Sequence, residues 1–256
     1  MKRQRILALV KLQVKSLIKV PASLFTIILL PIALTLIMAL AFGSVYVEGY
    51  GWTGQNGYIF DFIVPGLFGL NGLFLAMPVA LSFSEDREQG LLKRINTTPT
   101  TASEFLGSHV ISNMFMAIIQ VGIIGLISFL MGYRPSGAIE GMALAFVIMV
   151  IFSLSAIGFG LITATIAKSA KAAGGIVWIF MLPQQMLAAG LYPLPPEASV
   201  VSMFMPLHYA TDALNLLFNG VALSDLRIWW DFLILIMFSL VILTAGILLF
   251  RKYGKA

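Results

Sequence analysis

The chain has 256 residues, of which 59% are hydrophobic and only 11% are charged. With a mean hydropathy of +0.97, it has too little polar surface to cover a water-soluble globule of this length. Its lack of cysteine excludes disulfides, thiolate metal sites and cysteine nucleophiles. Its net charge of +5 arises from basic residues that lie between long apolar runs, which membrane topology explains better than nucleic-acid binding does. We therefore predict an integral membrane protein that contacts the lipid bilayer and no nucleic acid.

The first segment is predicted to be an amphipathic arm over residues 1–20. Its apolar positions, among them Ile6, Val10 and Leu17, fall on one side of a helix, with three lysines in the neighbouring row. This pattern predicts a helix that lies in the membrane interface and ends before Pro21. A solvated basic tail that supplies only orientation charge is the alternative.

Six apolar runs follow the arm, and none shows the alternation of a barrel strand. Each is long enough to cross about 30 Å of hydrocarbon as a helix, and a helix satisfies its own backbone hydrogen bonds in lipid. The first run is too long for the hydrophobic part of a signal peptide, so we expect it to be retained as a span. The fold class is therefore predicted to be all-α, with transmembrane helices at about residues 22–47, 60–84, 103–133, 141–167, 172–191 and 232–250.

The positions of Lys and Arg predict the orientation of these spans. Of the 16 such residues, 14 lie in the arm, in the C-terminal segment and in the connections after the second and fourth runs, whereas Arg134 and Arg227 lie in the remaining connections. Because basic residues favour the cytoplasmic side, both termini are predicted to be cytoplasmic. The connection from Lys168 to Lys171 is so short that the fourth and fifth spans must form an antiparallel hairpin.

The central parts of the six runs contain no Asp, Glu, Lys or Arg. Ionisable groups inside a span usually mark proton or ion pathways, so an ion-coupled transporter is disfavoured. His109 and His208 are predicted on opposite sides of the membrane, which prevents them from sharing a catalytic site. The neutral polar residues within or near the spans either line a translocation route or bond neighbouring helices together; they are Asn71, Asn113, Gln120, Gln184 and Gln185.

The most charged segment is the predicted cytoplasmic loop at residues 84–101. Between Glu85 and Arg94, acidic and basic residues are mixed beside an apolar edge that includes Leu92. This combination is typical of a short helix that docks on a protein rather than on anionic lipid. A solvated loop would explain the charges but not the apolar edge.

The pattern acidic-x-Arg-Glu-x-Gly-x-Leu-Lys-Arg followed by Thr-Pro in this loop resembles the loop after the second span of the type-2 ABC exporter permeases. That family includes drug-efflux and polysaccharide-export membrane subunits. In it, the loop forms a coupling helix that seats in a groove of the nucleotide-binding subunit. The resemblance assigns this ATPase-coupling role to Glu85, Arg87, Glu88, Gly90, Leu92, Lys93 and Arg94, and it extends to Thr98, Pro99, Glu104 and Gly107.

The resemblance implies a half-transporter of a prokaryotic cytoplasmic membrane that pairs with itself or with a similar permease. The sequence contains no Gly-x-x-x-x-Gly-Lys-Ser/Thr loop. We therefore expect the chain to bind no cofactor and to be no enzyme itself, with ATP and Mg held by a partner ABC ATPase. Export is implied by the resemblance, and the uncharged spans suggest an apolar or amphipathic substrate. The alternatives are a transporter that acts without an ATPase and a non-transporting membrane assembly factor.

The predicted external connection at residues 192–222 is too long to be an ordinary unstructured loop. We expect two short helices that dip towards the membrane as a re-entrant pair, with Pro206 beginning a new segment. The stretch that contains Pro206 and Tyr209 resembles the Asn-Pro-x-x-Tyr-like stretch before the last span in the same permease family. It either contacts substrate or seals the external end of the bundle as a lid.

Overall fold

The computed structural model describes residues 10–13, 25–50, 55–90, 102–188, 190–191 and 195–253. This part of the chain is helical almost throughout and contains one two-stranded antiparallel hairpin. After a π-helical turn at Phe25–Leu29, the elements in chain order are α1 (Leu30–Phe42), β1 (Tyr46–Tyr50), β2 (Gln55–Tyr58), α2 (Ile59–Leu73), α3 (Ala76–Glu88), α4 (Ala102–Leu130), α5 (Ile139–Ile166), α6 (Ala170–Leu187), α7 (Pro196–Ser202), α8 (Pro206–Phe218) and α9 (Leu226–Tyr253).

Within the described residues, four helical segments are long and apolar enough to cross a membrane. They are α2 with α3 as one 30-residue segment, Glu104–Leu130 of α4, α5, and α9. The 13 residues of α1 reach only about 20 Å at the rise of an α-helix, and Lys171, Gln184 and Gln185 lower the hydropathy of α6. The predicted helical membrane fold is confirmed, whereas the count of six spans stays a prediction.

The second predicted span is divided into α2 and α3 by a tight turn. The backbone N–H groups of Phe74 and Leu75 bond three residues back instead of four, and Pro78 has no N–H with which to continue the α-helical pattern. The backbone carbonyl of Asn71 accepts a hydrogen bond from Gln120 Nε2 of α4 at 2.9 Å. A side chain from a neighbouring helix thus stabilises the interruption.

Helix α5 packs closely against both α3 and α9 because glycines face its neighbours. A Cβ atom at Gly158 would lie 2.8 Å from the backbone of Ile242 in α9. A Cβ atom at Gly160 would lie 2.6 Å from the Cβ of Val79 in α3. Such close approach of backbones is how helices associate in lipid, where no hydrophobic force drives them together.

The first predicted span, residues 22–47, differs from the structure at its end. Helix α1 ends at Phe42, and residues from Tyr46 onwards form the first strand of the hairpin. Tyr46 pairs with Tyr58 on β2, and their rings meet edge to face at 5.5 Å between centroids. Cross-strand aromatic pairs of this kind stabilise a hairpin, so the apolar run divides between a helix and a strand.

The two ends of the bundle differ in the contacts that join their helices. At one end, the Phe83 ring lies 6.0 Å from that of Phe105 and 4.9 Å from that of Phe250, which joins α3, α4 and α9. At the other end, the backbone N–H of Ser136 donates to the carbonyl of Phe218 at 2.9 Å, which joins the α4–α5 connection to α8. We call these the basic end and the distal end; the basic end carries Arg87, Lys168, Lys171, Arg251 and Lys252.

Candidate functional site

Three consecutive charged residues in the last turn of α3 each contact a different helix at the basic end. Asp86 faces α4, Arg87 binds the end of α5, and Glu88 binds the start of α6. Successive helical residues project about 100° apart, so one turn of α3 reaches all three neighbours. We call these three residues the charged triplet.

Arg87 binds the C-terminal end of α5. Its Nη1 donates to the carbonyl of Ala164 at 3.1 Å, and its Nη2 donates to the carbonyl of Ala167, the residue that caps the helix. The last carbonyls of a helix have no partner within the helix and carry partial negative charge. A half-buried guanidinium therefore satisfies them and neutralises that charge.

Glu88 binds the N-terminal end of α6, which begins at Ala170, soon after the α5 cap at Ala167. Its Oε1 accepts a hydrogen bond from the backbone N–H of Ala170 at 2.8 Å. Ser169 caps the same helix, its hydroxyl accepting from the N–H of Ala172 at 3.1 Å. A carboxylate at a helix N-terminus is favoured by the helix dipole. Arg87 and Glu88 thus hold the two sides of the α5–α6 turn, and each carries the charge opposite to the partial charge of the helix end that it binds.

Asp86 lies beside His109 of α4. Its Oδ2 is 3.3 Å from His109 Nε2, but the contact is not aligned as a hydrogen bond, and it acts as an ionic contact when the imidazole is protonated. The His109 ring is buried against Phe83 and Phe105, at 4.1 Å and 4.6 Å between centroids. This arrangement agrees with a packing role for His109.

Two more of the residues that the family resemblance assigned to coupling, Glu85 and Gly90, lie at the end of α3. Gly90 follows the helix with φ of 67°, in the left-handed region, and its N–H bonds to the carbonyl of Arg87 at 3.0 Å. A glycine in this conformation ends a helix without strain. Glu85 is half-buried one turn before the end. Leu92, Lys93 and Arg94 lie outside the described residues.

A buried polar contact ties the N-terminal arm to α4 at the same end of the molecule, and the sequence reasoning missed it. Gln13 Nε2 donates to Ser108 Oγ at 2.9 Å, and Ser112 Oγ donates to Gln13 Oε1 at 3.0 Å. All three side chains are buried. The available signal was the four-residue spacing of the serines, which places both on one face of α4.

The five neutral polar residues identified from the sequence make different kinds of contact. Gln120 bonds between helices, to the α2–α3 turn. The side-chain amides of three others donate to the carbonyl four residues earlier in their own helices; these are Asn71, Asn113 and Gln184. Gln185 is half-buried, and its Nε2 has no hydrogen-bond partner among the described residues.

The predicted external segment contains the short helices α7 and α8. Pro206 is buried at the start of α8, where the missing N–H of proline costs nothing. The hydroxyl of Tyr209 donates to the carbonyl of Met203 at 2.9 Å, and its ring stacks on Phe238 of α9 at 5.8 Å. Burial, with a smaller contribution from nearby Asp231, raises the pKa of Tyr209. Tyr209 therefore holds the α7–α8 turn against α9.

Among the described residues, no group of three or more His, Asp or Glu side chains is arranged to hold a metal ion. The chemistry that the basic end supports is the binding and positioning of helices. The charged triplet and the Gln13 contact attach the end of α3 and the N-terminal arm to the other helices at one place.

The sequence of the chain is similar to those of known transport proteins. Residues 4–219 match the family model described as ABC-2 type transporter. The probable multidrug ABC transporter permease YbhR of Escherichia coli (strain K12) is 26% identical over 184 residues, which cover 68% of this chain and 48% of the relative. The inner membrane transport permease YhhJ of the same strain is 30% identical over 173 residues, covering 65% of this chain and 45% of the relative.

A third relative is the daunorubicin resistance ABC transporter permease protein DrrB1 of Streptomyces coeruleorubidus. It is 19% identical over 206 residues, which cover 79% of this chain and 70% of the relative. The chain spans about half the length of the two Escherichia coli relatives that it matches.

Proposed function

We propose that this chain, which belongs to the ABC-2 type transporter family, forms the translocation path of an ATP-driven exporter and is driven by a separate ATPase subunit. The chain is a multi-pass membrane permease. The proposal concerns what drives it, where the driving subunit docks and what kind of substrate it carries.

The observation that carries the proposal is the charged triplet at the end of α3. The segment expected to receive the ATPase, residues 84–101, begins within this last helical turn. Movement of that segment pulls directly on α5 through Arg87 and on α6 through Glu88. Because the contacts are charge-assisted hydrogen bonds to fixed helix ends, they transmit displacement better than apolar side chains that slide past one another.

We infer that the coupling segment has two parts with different roles. Arg87 and Glu88 are engaged within the chain, so their role is to position helices. The docking contacts are expected from the residues that follow the helix end, above all Leu92, Lys93 and Arg94. Glu85, half-buried one turn earlier, supports the base of this segment.

A separate ATPase is supported by the sequence and by the relatives. The sequence has no phosphate-binding Gly-x-x-x-x-Gly-Lys-Ser/Thr loop, and two of the relatives are named ABC transporter permeases. We propose that two ATPase subunits, holding ATP and Mg, act on a pair of permease chains, identical or similar. ATP-driven closure of the ATPases then switches the cavity between the permeases from inward-facing to outward-facing.

The proposed substrate is apolar or amphipathic. The candidate spans α4, α5 and α9 have no charged side chain in their central turns, so the path offers no fixed charge for an ion. Two relatives are named for multidrug transport and for daunorubicin resistance, which is consistent with a cargo of this class.

Binding of the ATPase tests the docking assignment. The ATPase that co-purifies with the tagged chain is titrated onto wild type, Leu92→Asp and Glu140→Lys. Glu140 is an exposed acidic residue in the first turn of α5 at the distal end, so its reversal controls for a change of charge. We expect Leu92→Asp to weaken binding at least about tenfold, since it places a charge in an apolar contact, and Glu140→Lys to bind normally. Normal binding by Leu92→Asp refutes the docking assignment.

A further inference from the structure

An apolar groove opens on the side of the bundle towards the distal end. It has a volume of about 200 Å³ and lies between α2, α4, α5 and α8. Every residue that lines it is apolar or glycine, including Phe68, Leu126, Phe146 and Phe218. Because α4 and α5 are candidate membrane spans, we expect the groove to face hydrocarbon.

Two glycines of α4 create the groove by leaving space where a side chain would stand. A Cβ atom at Gly122 would meet nothing within 4 Å, and one at Gly125 would meet only the ring of Phe68 at 3.6 Å. A glycine inside a helix is less favourable than alanine. Nothing within the described chain requires a glycine at Gly122, since no neighbour approaches it. The space is therefore available to something outside the chain.

An exposed arginine, Arg134, lies over the turn of α4 that follows the groove towards the distal end. Phe129 is exposed and lies four and seven residues after Gly125 and Gly122, on the same face of α4. The guanidinium of Arg134 covers the Phe129 ring at 4.0 Å from its centroid. The Nη1 of Arg134 donates to the carbonyls of Phe129 and Tyr133 at 2.6 Å and 2.9 Å, which fixes the side chain in this position.

The charge of Arg134 is not neutralised within the described residues. No described carboxylate forms an ion pair with it, whereas Arg227, the other basic residue of the distal side, is paired with Asp225 at 2.7 Å. Arg134 is exposed, and among the described residues its Nε and Nη2 make no hydrogen bond, which leaves them for an anionic ligand. Arginine is well suited to phosphate because its donors match the geometry of the oxygens.

We propose that this groove binds one phospholipid, with an acyl chain in the groove and the phosphate on Arg134. From Gly122 to Leu130 the helix rises about 12 Å, close to the roughly 15 Å of hydrocarbon in one leaflet. A second copy of this chain is disfavoured as the occupant, because a twofold contact here brings two unpaired Arg134 side chains towards each other. The proposal depends on the membrane fold and not on the ATPase.

The test uses phosphatidylglycerol with a photoactivatable group on its acyl chain, added to the purified chain in detergent. Labelled peptides are mapped for wild type, Gly122→Leu and Arg134→Gln. The matched controls are Gly175→Leu, at an exposed glycine of α6 where a Cβ also meets nothing within 4 Å, and Arg227→Gln.

We expect wild type to be labelled within residues 120–147. Excess unlabelled lipid is expected to compete with the probe and to reduce this labelling. Filling the groove in Gly122→Leu is expected to reduce this labelling about tenfold, and loss of the cation in Arg134→Gln about fivefold. The controls are expected to keep wild-type labelling. Wild-type labelling that excess unlabelled lipid does not reduce overturns the proposal, even if a variant fails to fold. Undiminished labelling of a folded Gly122→Leu protein also overturns it. Efficient disulfide dimers of Leu126→Cys in this cysteine-free chain would show a second copy in the groove and would also overturn it.

Discussion

Glu88 Oε1 accepts a hydrogen bond at 2.8 Å from the backbone N–H of Ala170, which is 82 residues further along the chain. This bond joins the end of the second predicted span to the start of α6. The neighbouring residue Arg87 joins the same turn of α3 to the end of α5. The α5–α6 turn is therefore held by an anion on one side and a cation on the other.

Removing the cation is expected to loosen α5 from α3. Arg87→Gln loses charged hydrogen bonds to the carbonyls of Ala164 and Ala167, with an expected loss of about 1–2 kcal/mol because the guanidinium is only half-buried. Thermal unfolding in detergent measures this loss, and substrate-stimulated ATP hydrolysis measures coupling. Arg251→Gln, at an exposed position of the same end, is the control. Coupling by Arg87→Gln equal to that of the control would contradict a positioning role.

Reversing the anion is expected to uncouple the transporter with little loss of stability. Glu88 is exposed, so its dipole interaction is worth about 0.3–1 kcal/mol. We expect ATP-driven transport to fall in the order wild type, Glu88→Gln, Glu88→Lys, since glutamine keeps an acceptor for the Ala170 N–H. Glu140→Lys makes the same charge reversal in the first turn of α5, where this contact is absent. Equal transport by Glu88→Lys and Glu140→Lys would show that the contact of Glu88 with Ala170 has no role in coupling.

The contact between the arm and α4 is expected to behave as a coupled unit. Gln13→Ala removes the side-chain partner that Ser112 and Ser108 share, which leaves Ser112 Oγ with backbone acceptors such as the carbonyl of Ser108 at 2.8 Å. Ser112→Ala leaves the buried Gln13 Oε1 without its donor. Each change is expected to cost about 1–3 kcal/mol. The double variant is expected to cost clearly less than the sum of the two. Thermal unfolding of all four proteins gives the interaction energy, and strict additivity would show that the contact contributes nothing.

Close packing of α5 on α9 predicts the effect of one methyl group. Gly158→Ala places a Cβ 2.8 Å from the backbone of Ile242, so the helices must separate, at a cost of about 1–3 kcal/mol. Gly175→Ala adds the same methyl where nothing lies within 4 Å. The two unfolding temperatures are compared in the same detergent. A Gly158→Ala protein as stable as Gly175→Ala would refute the packing.

Tyr209 predicts a loss of stability at alkaline pH. Burial raises its pKa above the ordinary value of 10.0, so the unfolded chain releases this proton first as pH rises. The contribution of Tyr209 is therefore complete below pH 10 and is lost as pH rises through the folded pKa. Tyr209→Phe keeps the stacking on Phe238 but loses this pH dependence. Unfolding of both proteins between pH 8 and about 11.5 tests this, and parallel curves would contradict it.

The apolar runs located most of the helices, because hydrophobic length is a local property of the sequence. Pro206 likewise marked the start of α8 through its own backbone geometry. The hairpin was missed because its first two residues, Tyr46 and Val47, continue the apolar run that forms α1, and because the pairing of Tyr46 with Tyr58 is a contact between segments that no single run shows. The contacts of Arg87 and Glu88 were not predictable, since each joins residues about 80 positions apart and depends on how α3, α5 and α6 pack.

Sequence reasoning also assigned Arg87 and Glu88 the same coupling role as Leu92 and Arg94. Charge and family resemblance identify the segment but do not distinguish a side chain that faces a partner from one that caps a neighbouring helix. That distinction requires the positions of the helix ends, and the structure gives them for Arg87 and Glu88.

Transport in proteoliposomes tests the central claim most directly. The chain is reconstituted alone, with its co-purifying ATPase, and with an ATPase whose phosphate-binding lysine is replaced, and ATP-dependent movement of a panel of apolar and amphipathic dyes is followed. We predict transport only with the intact ATPase and ATP, and its loss in Leu92→Asp but not in Glu140→Lys. Transport by the chain alone, or equal transport with the inactive ATPase, would contradict the account.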